Sequence, residues 1–211
     1  IEKGYAAAGY EGYFIFDADN LLDANYVAEM NKVFDSGCRV ITSYRNSKNY
    51  DSNWISAGSA LWFLREAKYL NNSRMILGTN CAVSGTGFLV ASDVIRAHGG
   101  WKYHLLTEDI QFSIDCACEG EHVGYCPTAV LYDEQPVTFE QSWNQRLRWS
   151  KGFYQVFAHY GRKLLGGIIK RRSFSCYDML MTVAPAMLLT LASVAVNAFV
   201  LVSAMLSTPV A

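Results

Sequence analysis

The chain has 211 residues, enough for one well-cored domain with a short appendage. Hydrophobic residues make up 51% and charged ones 18%, which excludes a disordered chain. A formal net charge of −1 offers no electrostatic footprint for nucleic acid, so none is expected as a partner.

Taken in order, Tyr13–Phe16 is a short apolar run ending at Asp17, the pattern of a buried parallel strand with polar groups at its carboxyl end. Leu22–Phe34 has apolar residues at helical spacing and stops near Ser36–Gly37. Cys38–Ser43 reads as the next strand, and Trp54–Leu70 as an aromatic-rich helix wetted by Arg65, Glu66 and Lys68. Gly85–Ala91 turns into a strand, followed by a short helix over Ser92–His98. Thr107 is placed to N-cap a helix running through Cys118. His122–Cys126 and Ala129–Asp133 read as two strands broken by Pro127. Phe139–Tyr160 is a long helix mixing Phe139, Trp143, Trp149, Phe153 and Phe157 with Arg146, Arg148 and Lys151, which suits a membrane surface. Strands alternating with helices predict an α/β domain with a mostly parallel sheet.

Charge is unevenly spread. No charged residue occurs from Met179 to Ala211, and Met179–Leu206 is long enough for the roughly 20 apolar residues that cross a bilayer. Arg162, Lys163, Lys170, Arg171 and Arg172 precede it, which predicts a transmembrane helix with the catalytic part on the cytoplasmic side. The opening Ile1-Glu2-Lys3-Gly4 and the apolar end predict a fragment. Cys38, Cys81, Cys116, Cys118, Cys126 and Cys176 form no C-x-x-C pair and read as buried thiols. His98, His104, His122 and His159 lack metal-ligand spacing and receive no role.

Three motifs carry chemistry. Asp17-Ala18-Asp19 sets two carboxylates at a strand end, where they can share Mg²⁺ or Mn²⁺ facing a diphosphate. A phosphatase of the haloacid dehalogenase type also uses D-x-D, but Leu21 stands where it requires Thr or Val. Thr107-Glu108-Asp109 opens a helix whose dipole favours an ionised carboxylate, a setting for a general base. Gln145, Arg148 and Trp149 crowd one helix stretch, with an arginine fork for a diphosphate and an indole for a sugar ring.

D-x-D, then T-E-D, then Q-x-x-R-W, then a basic segment and an apolar run, resembles the processive family 2 glycosyltransferases. These include the cellulose, chitin, hyaluronan and poly-N-acetylglucosamine synthases. The resemblance implies a GT-A-like, partly Rossmann-like nucleotide-sugar domain (residues 1–138), an interfacial amphipathic helix with the basic segment (139–172), and a transmembrane helix (177–206). It implies an integral cell-membrane enzyme that moves a sugar from a nucleotide diphosphate donor, a UDP-sugar, to a carbohydrate acceptor with inversion. Asp17 and Asp19 would bind donor and metal, and Asp109 would be the base. Ser84, Gly85, Glu108, Gln145, Arg148 and Trp149 would contact donor or acceptor, and membrane lipid and an accessory subunit are further partners. The family's uridine-binding aspartate loop has no counterpart here and is expected upstream of Ile1. Alternatives are single transfer to a lipid or short glycan, a metal-dependent phosphatase or nucleotidyltransferase, and a membrane adaptor without chemistry.

Overall fold

The structure, a computed structural model, describes residues 9–184 and 186–207. The opening residues that suggested a cut end lie outside them. Five strands form one sheet: β1 (Gly12–Ile15), β2 (Leu21–Leu22), β3 (Val40–Ser47), β4 (Phe88–Ala91) and β5 (Val123–Asp133), in the order β1-β4-β3-β5-β2. Among the described residues only β3 and β5 pair in parallel; β1/β4, β4/β3 and β5/β2 are antiparallel. The sheet is therefore mixed rather than mostly parallel, and β1 is an antiparallel edge strand. Its continuous apolar run has another cause. Phe14 and Phe16 pack on one face against Tyr26, while Tyr13 and Ile15 join the core on the other. Cover on both faces, whatever the strand direction, yields an unbroken apolar run.

Pro127 does not divide β5 into two strands. The β3–β5 register shifts between Ser43 and Tyr44, which pair with Cys126 and Val130. The unmatched residues of β5 are taken up as a bulge, where a residue without an N–H is tolerated.

Helix α1 (Tyr26–Asp35) covers one face of the sheet through Tyr26 and Met30. The other face carries α4 (Ser92–Ala97) and α5 (Glu108–Glu119), with Phe112 and Cys116 of α5 packed on Val40, Val90 and Val123. The outer side of α5 meets the 33-residue α6 (Phe139–Arg171) and α7 (Phe174–Val183) around Ile114, Val156, Leu164 and Met179. Between β3 and β4, α2 (Trp54–Leu64) starts at an Asn53 capping box, continues as a π-helical turn (Arg65–Asn71), and ends as α3 (Asn72–Ile76). Six free thiols agree with the sequence reading, five of them buried.

Two expectations change at the C-terminal end. α6 runs on through the basic cluster to Arg171, and the apolar stretch is two helices rather than one, α7 and α8 (Ala186–Ser207). Residues 177–183 belong to α7, which is fastened to the core by Cys176, Met179 and Val183. Pro185 and the side chains of residues 186–191, on which part of the transmembrane expectation rests, lie outside the described residues. Among the described residues no helix is long and apolar enough to cross a membrane.

His98, given no role from its spacing, joins the bonds on Asp115 that tie α5 to α6. Its Nδ1 lies 3.2 Å from Asp115 of α5, Tyr103 donates to the same carboxylate at 2.8 Å, and Lys163 of α6 reaches it at 3.0 Å. Burial alone would raise the Asp115 carboxyl, but the bonds from His98, Lys163, Tyr103 and Lys102 hold it well below the usual range.

Gly87 shows how tightly the loop before β4 is seated. Its φ is +68°, and a Cβ there would overlap the Leu131 side chain and come within 2.8 Å of Ser43 Oγ. Gly87→Ala is expected to destabilise the fold by about 3 kcal/mol, from overpacking plus the unfavourable φ, read by chemical denaturation.

Candidate active site

The site is assembled where strand ends and two helix starts meet. After β1 the chain turns through Asp17-Ala18-Asp19-Asn20. The Asp17 N–H donates to Thr86 Oγ1 at 2.9 Å, and Asn20 Nδ2 donates to Asp133 Oδ1 at 3.0 Å. Thr86 Oγ1 in turn donates to Asn20 Oδ1, so Asn20 stitches the D-x-D turn to both the β4 loop and the end of β5. The carboxylates of Asp17, Asp19 and Asp133 converge, with their oxygens within 4.8 Å of one another. Asp17 and Asp19 are exposed and Asp133 is buried. Burial raises the Asp17 carboxyl above its ordinary value; Arg45 opposes this, and Asp133, Asp19 and Glu108 add to it. An all-oxygen donor set with mutual repulsion fits a hard divalent cation such as Mg²⁺ or Mn²⁺.

Asp133 was not read as a functional residue, nor was Arg45 of β3, which pairs with it. Arg45 Nε donates to Asp133 Oδ2 at 3.0 Å and Nη2 reaches the same oxygen. Both side chains are largely enclosed, at 13% and 5% exposure. Arg45 Nη1 donates to the Ser84 carbonyl at 2.7 Å, and its guanidinium lies 3.8 Å above the Phe63 ring. The signal available was position. Asp133 ends a predicted strand, and ligands in α/β sheets gather at such carboxyl ends. Arg45 fell two residues past the predicted end of its strand, which runs on to Ser47.

The second motif sits across the same loop. Gly85, with φ +75°, has room for a Cβ that would lie 3.5 Å from Arg45 Nη1 and 3.8 Å from Asp109 Oδ2. The Ser84–Gly85 loop thus links the D-x-D side to the T-E-D side. Thr107 occupies the cap position of α5 but makes no capping bond. Its side chain is pressed against Gly152 of α6, where a Cβ would come within 2.5 Å of it. Its buried hydroxyl has no hydrogen-bond partner among the described residues.

Asp109 also departs from expectation. The helix start was expected to favour its ionised form, yet burial pushes the carboxyl up to about 7; the Ile110 N–H opposes this, and Glu108 and Glu66 add to it. Desolvation outweighs the dipole at this position. Glu66, another unforeseen participant, is presented by the π-helical turn and accepts from Ser84 Oγ at 3.3 Å. Its carboxyl is likewise raised by burial, against the pull of Arg45. Glu108 itself is exposed.

Of the third motif, Trp149 reaches the site. It meets Phe63 edge to face at 5.9 Å, and Phe63 carries Arg45. Gln145 is half-buried and Arg148 exposed on the same helix. Among the described residues no hydrogen bond joins either to the acidic groups. The structure brings together Asp17, Asp19, Ser84, Gly85 and Asp109, adds Trp149 through Phe63, and leaves Gln145 and Arg148 at the margin.

The model of glycosyl transferase family group 2 matches residues 14–208. The chain belongs to that family. It is 22% identical over 168 residues to a probable glycosyltransferase, YdaM, of Bacillus subtilis (strain 168), covering 72% of this chain and 37% of that protein. It is 25% identical over 158 residues to the poly-beta-1,6-N-acetyl-D-glucosamine synthase of Staphylococcus aureus (strain COL), covering 74% of this chain and 38% of that one. The chain thus spans less than two-fifths of the length of these curated relatives.

Two measurements test the site as a family 2 scaffold. Arg45→Ala leaves the Asp133 carboxylate enclosed without its counter-ion, and a loss of about 3 kcal/mol is expected in urea unfolding. Asp109 carries the opposite sign. With a folded value near 7 and an ordinary value of 3.8, the folded state holds the extra proton between them. Stability from this group is present at low pH and lost as pH rises from about 4 to about 7. The melting temperature of Asp109→Asn relative to the parent should therefore climb across that window.

Proposed function

We propose that the protein transfers a sugar from a nucleotide diphosphate sugar, a UDP-sugar, to a growing polysaccharide, with inversion, at the cytoplasmic side of the cell membrane. The observation that carries this reading is the Ser84–Gly85 loop, which has Arg45 and the acidic cluster on one side and Asp109 on the other. A base facing an acidic diphosphate site across a loop with little side-chain bulk suits a donor sugar lying between them. The printed name of the staphylococcal relative, a polysaccharide synthase, supports a polymeric acceptor.

Asp109 accepts the proton of the acceptor hydroxyl as that oxygen bonds to the anomeric carbon. The bond from that carbon to the diphosphate oxygen breaks, and the nucleotide diphosphate leaves with the electron pair. One displacement from the face opposite the leaving group inverts the centre. A carboxyl near 7 is matched to this proton transfer near neutral pH. Asp17 and Asp19, with Asp133 beside them, would hold the divalent cation. When bound, it supplies charge neutralisation to the departing diphosphate. Trp149, held edge-on by Phe63, offers a ring face to the acceptor sugar, with Gln145 and Arg148 further along the helix.

Residues 1–138 are proposed as the catalytic part and 139–172 as the interfacial helix with its basic segment. α8 is proposed as the element that meets lipid, because Val194, Val196, Phe199, Val200, Leu201, Val202, Met205 and Leu206 are all exposed on it. An accessory subunit belongs to the same proposal.

The test uses the complete protein with Mg²⁺ or Mn²⁺ and a panel of UDP-sugars, reading UDP release and product length. Asp109→Asn is expected to slow transfer by about a thousandfold while donor affinity stays close to that of the parent. The parent rate should rise with pH through about 7, as the base ionises. UDP release that is indifferent to Asp109→Asn would sink the assignment.

A further inference from the structure

The loop that faces Asp109 is gripped from behind by side chains that the proposed chemistry does not use. Asn71, the last residue of the π-helical turn, is buried and binds Ala82 with both ends of its amide. Its Nδ2 donates to the Ala82 carbonyl at 3.0 Å, and its Oδ1 accepts the Ala82 N–H at 3.0 Å. One residue on, the Val83 N–H donates to Ser113 Oγ at 2.8 Å, and that hydroxyl donates to the Asp109 carbonyl at 2.9 Å. The next two residues are Ser84 and Gly85. An amide in this double-ended grip has one productive orientation, so what orients Asn71 also sets the height of the loop.

Arg74 does the orienting. Its Nη1 donates to Asn71 Oδ1 at 3.3 Å, its Nε to Asp178 Oδ2 at 2.6 Å, and its Nη2 to Thr182 Oγ1 at 3.0 Å. Asp178 and Thr182 lie one turn apart on α7, the helix that leads into the apolar segment. A second tie runs the same way, from the Asn80 N–H to Ser175 Oγ of α7 at 3.2 Å. Arg74 is 8% exposed and Asn71 2%, so these bonds are little diluted by water.

We propose that Asn71 and Arg74 are positioning residues that transmit the placement of α7 to the Ser84–Gly85 loop, and through Ser113 to the backbone of Asp109. The route is contiguous: Asp178, Arg74, Asn71, Ala82, Val83, Ser113, Asp109. A shift of α7 re-aims the guanidinium, turns the Asn71 amide, and moves the loop relative to the base. The consequence for turnover rests on the transferase reading, whereas the mechanical coupling does not. A contiguous path becomes a coupling only when perturbing one end changes the other.

The experiment perturbs the far end. Asp178→Asn in the complete protein keeps the side-chain shape and removes the charge that holds Arg74, and Asn71→Asp removes the donor to Ala82. For both, amide hydrogen exchange over residues 81–85 is expected to quicken by about tenfold, with β3 unchanged, and kcat per folded molecule to fall by about tenfold. A merely structural role would lower kcat only in step with the folded fraction, and that result overturns the proposal. Unchanged exchange over 81–85 in Asp178→Asn overturns it too, and this arm stands even where Asn71→Asp fails to fold. Absence of turnover in the parent protein would count against the proposed function alone, since the exchange arm still decides the coupling.

Discussion

Arg45 sits at the centre of the acidic site, with Lys48 at its edge on the Asp19 carbonyl. It pairs with Asp133, draws down Asp17 and Glu66, and holds the Ser84 carbonyl. Without it, the carboxylates of Asp17, Asp133 and Glu66, from three separate elements, would lose the cation they share. The guanidinium suits the task because its planar fork bonds a carboxylate and a carbonyl at once, while its face rests on Phe63. Lysine has no such fork and no face to stack.

The reach of Arg45 also explains the division of labour among the acids. Asp109 stands on the far side of Gly85, where burial raises it, the Ile110 N–H opposes, and Glu108 and Glu66 add to the rise. Arg45 draws Asp17 and Glu66 down against the burial that raises them, while burial leaves the Asp109 carboxyl at about 7. Environments that push the pKa values of neighbouring carboxyls apart separate charge-binding groups from proton-transfer groups.

Most element types were legible from periodicity, because amphipathic helices and apolar strands are local patterns. The starts of α2, α4 and α6 fell within a residue of their observed positions, each marked by a change in patterning or by capping chemistry. Strand direction was not legible: β1 is apolar on both faces, and an antiparallel edge strand with two covers looks like a parallel interior one. The D-x-D and T-E-D acids were visible as motifs. Arg45, Glu66, Asn71 and Asp133 were not, because each acquires its meaning only across the sheet or from the π-helical turn, contacts separated by tens of residues. The sign at Asp109 was missed for a related reason. A helix start can be read locally, but the burial that outweighs it comes from other elements.

The length of α6 has a mechanical consequence. Thirty-three residues without a proline make a rod about 50 Å long, whose basic last turn lies about 33 Å beyond Trp149. Gly152 lets α6 lie flush on the Thr107 side chain, and Gly167 lets its far end lie against Cys176 of α7. Held at both contacts, the rod fixes the spacing between the indole and the cationic turn.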